Sequence, residues 1–401
     1  MKNKIRENYG HTIYASYIGY ITQAIVNNFV PLLFLTFQKQ YEIGLDKIGL
    51  LVTINFGVQL FVDFLCAKFI DKIGYRTAIV AAHVFAAIGL VGLAVLPEIF
   101  PPYVGIVLAI VCYAIGGGII EVLVSPIVEA CPTTQKEAAM SLLHSFYCWG
   151  HVFVVLASTA FFVFIGIEHW KLLSVIWAVI PLGNAVYYSM VPITTPVEQG
   201  VGMSMRELLK NRVFWILFLL MICSGASEQG MSQWASAFAE SGLKVSKTVG
   251  DLAGPCLFAV LMGTSRALYA KLADKISLRS AMIWSGMLCV GCYFLAAFAP
   301  HPALGLIGCA VCGFSVGIMW PGSFSMASAK LPMGGTAMFA FLALAGDLGC
   351  GLGPTIVGAV AEAFGSDLKT GMISAVVFPV LLLLGVLFLY GKQKNKIPAK
   401  G

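Results

Sequence analysis

Residues 67–78 read Ala-Lys-Phe-Ile-Asp-Lys-Ile-Gly-Tyr-Arg-Thr-Ala, and residues 270–281 read Ala-Lys-Leu-Ala-Asp-Lys-Ile-Ser-Leu-Arg-Ser-Ala. Seven of these twelve positions are identical, at an offset of 203 residues in a chain of 401. Each copy follows one strongly apolar run and precedes another. A chain that repeats itself at half its length, in a hydrophobic background, has the signature of a two-fold repeat membrane protein. Transporters with parallel repeats about an axis along the membrane normal are the leading reading.

Composition points the same way. The chain is 59% hydrophobic and 11% charged, whereas a soluble protein carries about 25% charged residues. So little polar surface cannot cover a globule in water, so the chain is expected to be solvated by the lipid bilayer. Its length accommodates about twelve spans of roughly 20 residues. The net charge of +6 sits at span ends rather than in one patch, which argues against a nucleic-acid partner. The eleven cysteines lie almost all in apolar runs, where they pack as small hydrophobes. No disulfide framework and no cofactor is expected. Lys2, Lys4 and Arg6 precede a long first apolar stretch that reads as a retained helix rather than a cleaved leader.

Twelve candidate spans run over 13–36, 48–69, 77–97, 103–128, 138–164, 170–190, 213–239, 248–270, 280–299, 303–326, 335–361 and 370–390. The stretch 191–212 is polar, with Pro192, Pro196, Glu198, Arg206, Glu207, Lys210 and Arg212. It divides an N-terminal six-helix bundle (1–190) from a C-terminal one (213–401) and reads as a cytoplasmic linker. With both termini cytoplasmic, 18 Lys and Arg fall inside and 6 outside, with Arg266 within a span. That imbalance follows the positive-inside rule and supports the even span number. Gly116–Gly118 and Pro126 in the fourth span, Pro321 in the tenth and the glycine-rich eleventh read as local breaks in a moving helical protein.

The repeated loop resembles the signature of the major facilitator superfamily, Gly/Ala-x-x-x-Asp-Arg/Lys-x-Gly-x-Arg between the second and third helices. It is carried by Ala67, Asp71, Lys72, Gly74 and Arg76 and echoed by Asp274, Lys275 and Arg279, with Ser277 in place of the glycine. The resemblance implies an all-α membrane fold of twelve transmembrane helices in two pseudo-symmetric six-helix bundles. A narrower resemblance is to the fucose/glucose–cation symporter branch. It rests on Gly116-Gly-Gly-Ile-Ile-Glu121 followed by Pro126, on Leu143-His144-Ser-Phe146-Tyr147 with Gly150, and on Gly225-Ala-Ser-Glu228 with Trp234. It implies a monosaccharide as substrate, moved with a proton or sodium ion. Proton-coupled members carry an Asp late in the first helix. Here Asn28 stands there, and asparagine cannot titrate.

The candidate site residues follow from the cost of polarity in lipid, since an intramembrane carboxyl faces a cavity, is paired, or is protonated. Glu121 is expected either to bind sugar hydroxyls, to take up the coupling proton, or both, against a neutral Glu bonded to a neighbouring helix. Glu228, with Gln229, Gln233 and Trp234, offers carboxylate and amides beside an aromatic plate, which suits a sugar. The alternative is an outer helix end with Trp234 as interfacial anchor. Gln23, Asn27 and Asn28 add neutral amides from the first span, Tyr147 follows from the fifth-span pattern, and Trp320 reads as a stacking residue. Glu121, Glu228 and Asp347 are the candidate ion-coupling acids, Asp347 equally readable as a capped structural acid. Asn55, Gln59 and Asp63 recur every four residues on the second span, and Asp63 corresponds to Arg266 at the 203-residue offset. Asp63 and Arg266 are therefore expected to gate, each against the opposite bundle, with His144 a candidate neighbour of Arg266. Asp71, Lys72, Arg76, Asp274 and Arg279 join them as gating candidates.

Cys289-x-x-Cys292 and Cys309-x-x-Cys312 match zinc spacing but lie in apolar spans, so no metal is expected. The triple glycine lacks the strand and Lys-Ser/Thr of a phosphate loop. The chain shows no His/Asp/Glu grouping of a membrane enzyme. The expectation is a monomeric secondary transporter in the cell membrane moving a small polar solute by alternating access. A drug or metabolite antiporter of the same fold, or a non-transporting membrane sensor, is the alternative.

Overall fold

The computed structural model describes residues 2–132, 136–194, 203, 205–272, 275–331 and 333–391. Among the described residues, twelve helical stretches are long and apolar enough to cross a bilayer: Tyr9–Tyr41, Leu45–Cys66, Tyr75–Ile99, Pro102–Val128, Ser145–Phe164, Ile167–Met190, Arg212–Ser232, Lys247–Tyr269, Leu278–Phe298, Pro302–Ala327, Phe341–Ala363 and Leu368–Tyr390. They are numbered first to twelfth along the chain. The side on which the first span begins is termed proximal, the other distal. Lipid offers no partner to a bare peptide group, so each span closes its backbone bonds on itself, and the described residues contain no strand.

Each half uses the same pairings. The first span packs on the fifth, the second on the fourth, and the third on the fourth and sixth; the seventh packs on the eleventh, the eighth on the tenth, and the ninth on the tenth and twelfth. The fold is thus an all-helical membrane protein of two six-helix bundles related by the duplication that the 203-residue repeat announces. Among the described residues two long seams join the halves, the second span against the eleventh and the fifth against the eighth, and the first and seventh spans also touch. Between helices in lipid, small residues mark the contacts because they let backbones approach. A Cβ on Gly313 would strike the Phe258 carbonyl, and one on Gly349 the Ile222 carbonyl.

The breaks expected in the fourth and eleventh spans do not occur, since the helices Pro102–Glu129 and Gly335–Ala363 are continuous. Their glycines serve close approach instead. Interruptions fall in the first span, at the 3-10 turn Val30–Leu33, in the seventh, after Ser232, in the tenth, after Val316, and in the twelfth, after Ser374, while the eighth widens into a π-helix over Leu252–Cys256. The tenth-span break precedes Pro321, which sits in the first turn of the helix Met319–Lys330, where a missing N–H is harmless.

The distal ends of the two halves are closed on each other. The backbone N–H of Leu45 donates to Glu362 Oε2 at 3.1 Å. A Cβ on Gly358 would come within 3.2 Å of Gly49 Cα. Thr53 pairs with Thr355 and donates to the Gly351 carbonyl at 3.1 Å. Lys39 meets Glu240 at 3.0 Å, and Lys247 Nζ donates to the Leu32 carbonyl at 2.7 Å. The Phe34 and Trp234 rings lie 5.0 Å apart.

Candidate functional site

Three consecutive glycines assemble the centre of the molecule. Successive helix residues point about 100° apart, so Gly116, Gly117 and Gly118 face three different neighbours. A Cβ on Gly116 would collide with Ala82 and Ala86 of the third span. One on Gly117 would lie 3.0 Å from Gln23 Oε1 of the first, and one on Gly118 3.0 Å from Gln59 Cα of the second. With nothing in the way, the fourth span lies against all three, and Glu121, one turn on, reaches their amides. Gln23 Nε2 donates to Glu121 Oε2 at 3.0 Å and to Gln59 Oε1 at 2.8 Å.

From there a chain of hydrogen bonds crosses to the other half. Gln59 Nε2 and Asn55 Nδ2 each donate to Asn27 Oδ1 at 3.0 Å. Pro31 has no N–H, so the Asn27 carbonyl four residues back lacks its helical partner. Gln233 Nε2 donates to that carbonyl at 3.1 Å. Gln233 also donates to Gln229 Oε1 at 2.8 Å, and Gln229 Nε2 to Glu228 Oε1 at 3.2 Å. Glu228 Oε2 faces Arg266 Nη2 at 3.9 Å. Arg266 Nε donates to the Gly317 carbonyl at the tenth-span break at 3.0 Å, and its Nη1 contacts Cys148 Sγ of the other half at 3.5 Å. The Tyr147 hydroxyl faces Asn27 and Asn28.

The structure therefore brings Gln23, Asn27, Glu121, Tyr147, Glu228, Gln229 and Gln233 into one cluster. Asn28 turns its own amide back to the Ala24 carbonyl at 2.9 Å. Trp234 lies apart, fully buried in the distal closure, with its indole N–H on the Pro354 carbonyl at 2.9 Å. It offers no free face in this state. Trp320 packs on the eleventh span at Gly346 and beside Phe324. Asp63 and Asp347 face each other across the second–eleventh seam within hydrogen-bonding reach, with Glu121 near both. Arg76 donates to the Tyr188 and Ser189 carbonyls at 3.1 Å, and Arg279 lies over the Tyr390 ring, each within its own half. The side chains of Asp71, Lys72 and His144, and the whole of Asp274, lie outside the described residues.

Charge is unevenly settled. Glu228 is offset by Arg266 and Asp251 by Lys247, but no ion pair among the described residues reaches Glu121, Asp63 or Asp347. Gln23 Oε1, Asn55 Oδ1 and Asp63 Oδ1 are buried without a donor. The cluster is rich in acceptors and short of donors, so it is complementary to something that brings hydrogens. The Cys289 and Cys312 sulfurs approach to 3.9 Å, and among the described residues no three His, Cys, Asp or Glu side chains are placed to hold a metal.

Asp251 escaped the sequence reading because it sits at the edge of an apolar run, where an acid ordinarily meets water. It is fully buried, receiving bonds from Ser236, from Thr159 of the other half at 3.2 Å and from Lys247 at 3.2 Å. The Lys247–Asp251 spacing of four was the available signal. Beside it a distal cavity of about 280 Å³ is lined by Thr36, Lys39, Gln40, Ser236, Glu240 and Lys247, among others.

The sequence profile described as Major Facilitator Superfamily matches residues 16–354. The membrane protein MosC of Rhizobium meliloti is 26% identical over 260 residues, which are 64% of this chain and 62% of MosC. The chain thus aligns with less than two thirds of that relative. An inward-facing, occupied bacterial homologue of the human lysosomal transporter Spinster superposes with TM-score 0.79 at 16% identity, covering 97% of this chain and 99% of that one. A mutant form of the nucleoside transporter NupG gives 0.77 at 16% identity, covering 95% and 100%. A variant of the Escherichia coli fucose:proton symporter FucP gives 0.63 at 17% identity, covering 94% and 98%. The superfamily expectation is thus met, whereas the fucose branch is not singled out.

Proposed function

We propose a reading that starts from family membership: the chain belongs to the Major Facilitator Superfamily. It is a multi-pass membrane transporter, and its solute is a small hydroxyl-rich molecule, foremost a monosaccharide, carried together with a proton or sodium ion. One observation carries this. At the junction of the two halves, an amide cluster with unsatisfied acceptors surrounds three carboxyls that no described cation offsets. A sugar supplies hydroxyl donors to such acceptors, while a bare ion or an apolar drug would leave the amides unanswered. The nucleoside and fucose carriers of like fold take solutes of the same hydroxylated kind.

Glu121 is the coupling residue in this reading. Its carboxyl reaches the solute cluster through Gln23, so solute and ion share one network. An acid neutralised only when solute is aboard makes the loaded carrier easier to reorient than the half-loaded one. Glu228, satisfied by Arg266, serves solute binding and holds the arginine charge. By the distribution of Lys and Arg the proximal side faces the cytoplasm. The chain lies in the cell membrane with its closed distal side outward.

The test is reconstitution. Purified protein in proteoliposomes is to accumulate a labelled monosaccharide when a proton or sodium gradient is imposed. Glu121→Gln is to abolish gradient-driven uptake while sparing exchange of labelled for unlabelled solute. Equal loss of both activities would remove Glu121 from coupling. Transport of nucleosides with indifference to every monosaccharide would replace the substrate class.

A further inference from the structure

The seam between the second and eleventh spans runs antiparallel, and its register can be followed from contact to contact. Leu45 lies against Glu362, Gly49 against Gly358, and Thr53 against Gly351 and Thr355. Each step along one helix is matched by a step of about one to two turns back along the other. Continued toward the proximal side, that register carries the second span to Asp63 within about one turn of Asp347. There the two carboxyls face each other, one from each half. Asp347 is 4% exposed, and Asp63 Oδ1 is buried without a partner.

Two carboxyl groups hydrogen-bond only through an O–H, so this contact needs one proton between them. If both were ionised, like charges would meet across the seam in a medium that screens them poorly. Among the described residues no other hydrogen bond reaches Asp63 Oδ1. Among the described residues, the titratable neighbours are Glu121 from the fourth span, Cys66 one turn on from Asp63, and Cys350 one turn on from Asp347. Glu228 lies farther off beside Cys350 and is held by Arg266. A second observation bears on the same place. Gln23, 2% exposed, turns its Nε2 to Glu121 and leaves Oε1 unbonded. The centre is deficient in protons on both sides of Glu121.

We infer that Asp63 and Asp347 form a proton-binding site shared by the two halves, whose proton holds the second–eleventh seam closed. The proton enters when the seam is parted toward the distal side and is lost to the proximal side when the seam is shut. Its loss sets two negative charges face to face and parts the seam again. The empty carrier is thereby returned to its distally open state. This deepens the transporter reading and rests on it. It assigns the coupling ion as a proton and adds the seam as a second proton site beside Glu121, the coupling acid of that reading.

Hydrogen exchange by mass spectrometry on full-length protein in lipid nanodiscs tests it, with the intrinsic pH dependence of exchange removed. Peptides from 45–62 and 348–362 are to exchange about tenfold more at roughly pH 9 than at roughly pH 5, a coupling of ordinary size. Asp63→Asn and Asp347→Asn are each to abolish that difference and leave the seam protected, because an amide N–H replaces the shared proton. Either variant suffices if the other does not fold. A flat wild-type response, or one that survives both Asp variants, overturns the inference, as does a seam that responds to sodium chloride against potassium chloride at fixed pH. Solute-induced thermal stabilisation of the wild type, measured in parallel, reports on the transporter reading separately.

Discussion

Glu228 and Arg266 show at the scale of one residue why intramembrane charges come in pairs. Removing one partner strands the other in a poorly screened interior. Glu228→Gln is therefore expected to destabilise the protein by about 3 kcal/mol. Adding Arg266→Met to it is expected to recover most of that loss, as read by thermal unfolding in detergent. If the double variant is no more stable than the single one, the pair is not what holds Arg266. Gly117 makes a different demand. Gly117→Val would press on Gln23 and Gln59, with an overpacking loss of about 1–3 kcal/mol. Solute-dependent stabilisation is expected to vanish with it, since the Gln23–Glu121 bond cannot then form. These central residues were only partly legible in the sequence. Glu121, Glu228 and Asp347 stand out because any acid in an apolar run does. The Gln59–Asn27 and Gln233–Asn27 bonds could not be read, because they depend on which helices the glycines allow together. Asp251 was hidden by its place at the end of a run.

At the scale of an element, the spans and their number were legible because hydropathy alone fixes them. Their interruptions were not. Glycine was read as a breaker in the fourth span, but between packed helices its missing side chain is filled by a neighbouring backbone and the helix runs on. The start of the twelfth span gives a test outside the bilayer. Asp367 caps it, accepting from the Thr370 hydroxyl at 2.5 Å and from the backbone N–H groups of Lys369 and Thr370. The Thr370 hydrogen bond above all holds this carboxyl below the usual carboxylate range. Such a group stabilises the fold above its unfolded-state value, and the contribution is lost as pH falls through its lower, folded value. Asp367→Ala is expected to cost about 1 kcal/mol near neutral pH, the difference from wild type shrinking in acid. A difference that persists unchanged at low pH would show that capping by the carboxylate is not its source.

At the scale of the whole molecule, the repeat at residues 67–78 and 270–281 made the two-half architecture readable before any coordinate. What it could not convey is which state the halves adopt, since one sequence must serve them all. The Thr53–Thr355 contact on the sealed side offers a handle. Thr53→Cys with Thr355→Cys, joined by a short bifunctional reagent, is expected to stop gradient-driven uptake in proteoliposomes while leaving solute binding from the proximal side intact. Uptake that continues after cross-linking would mean the seam need not part. The Asn27 carbonyl carries a last consequence. Its helical place is empty because the ring of Pro31 stands where an amide hydrogen would be, and Gln233 fills it. An imino acid, usually regarded as an interruption, here works as a socket: it keeps vacant in one half the place into which the other half plugs, and unplugging it demands no rupture of the helix itself.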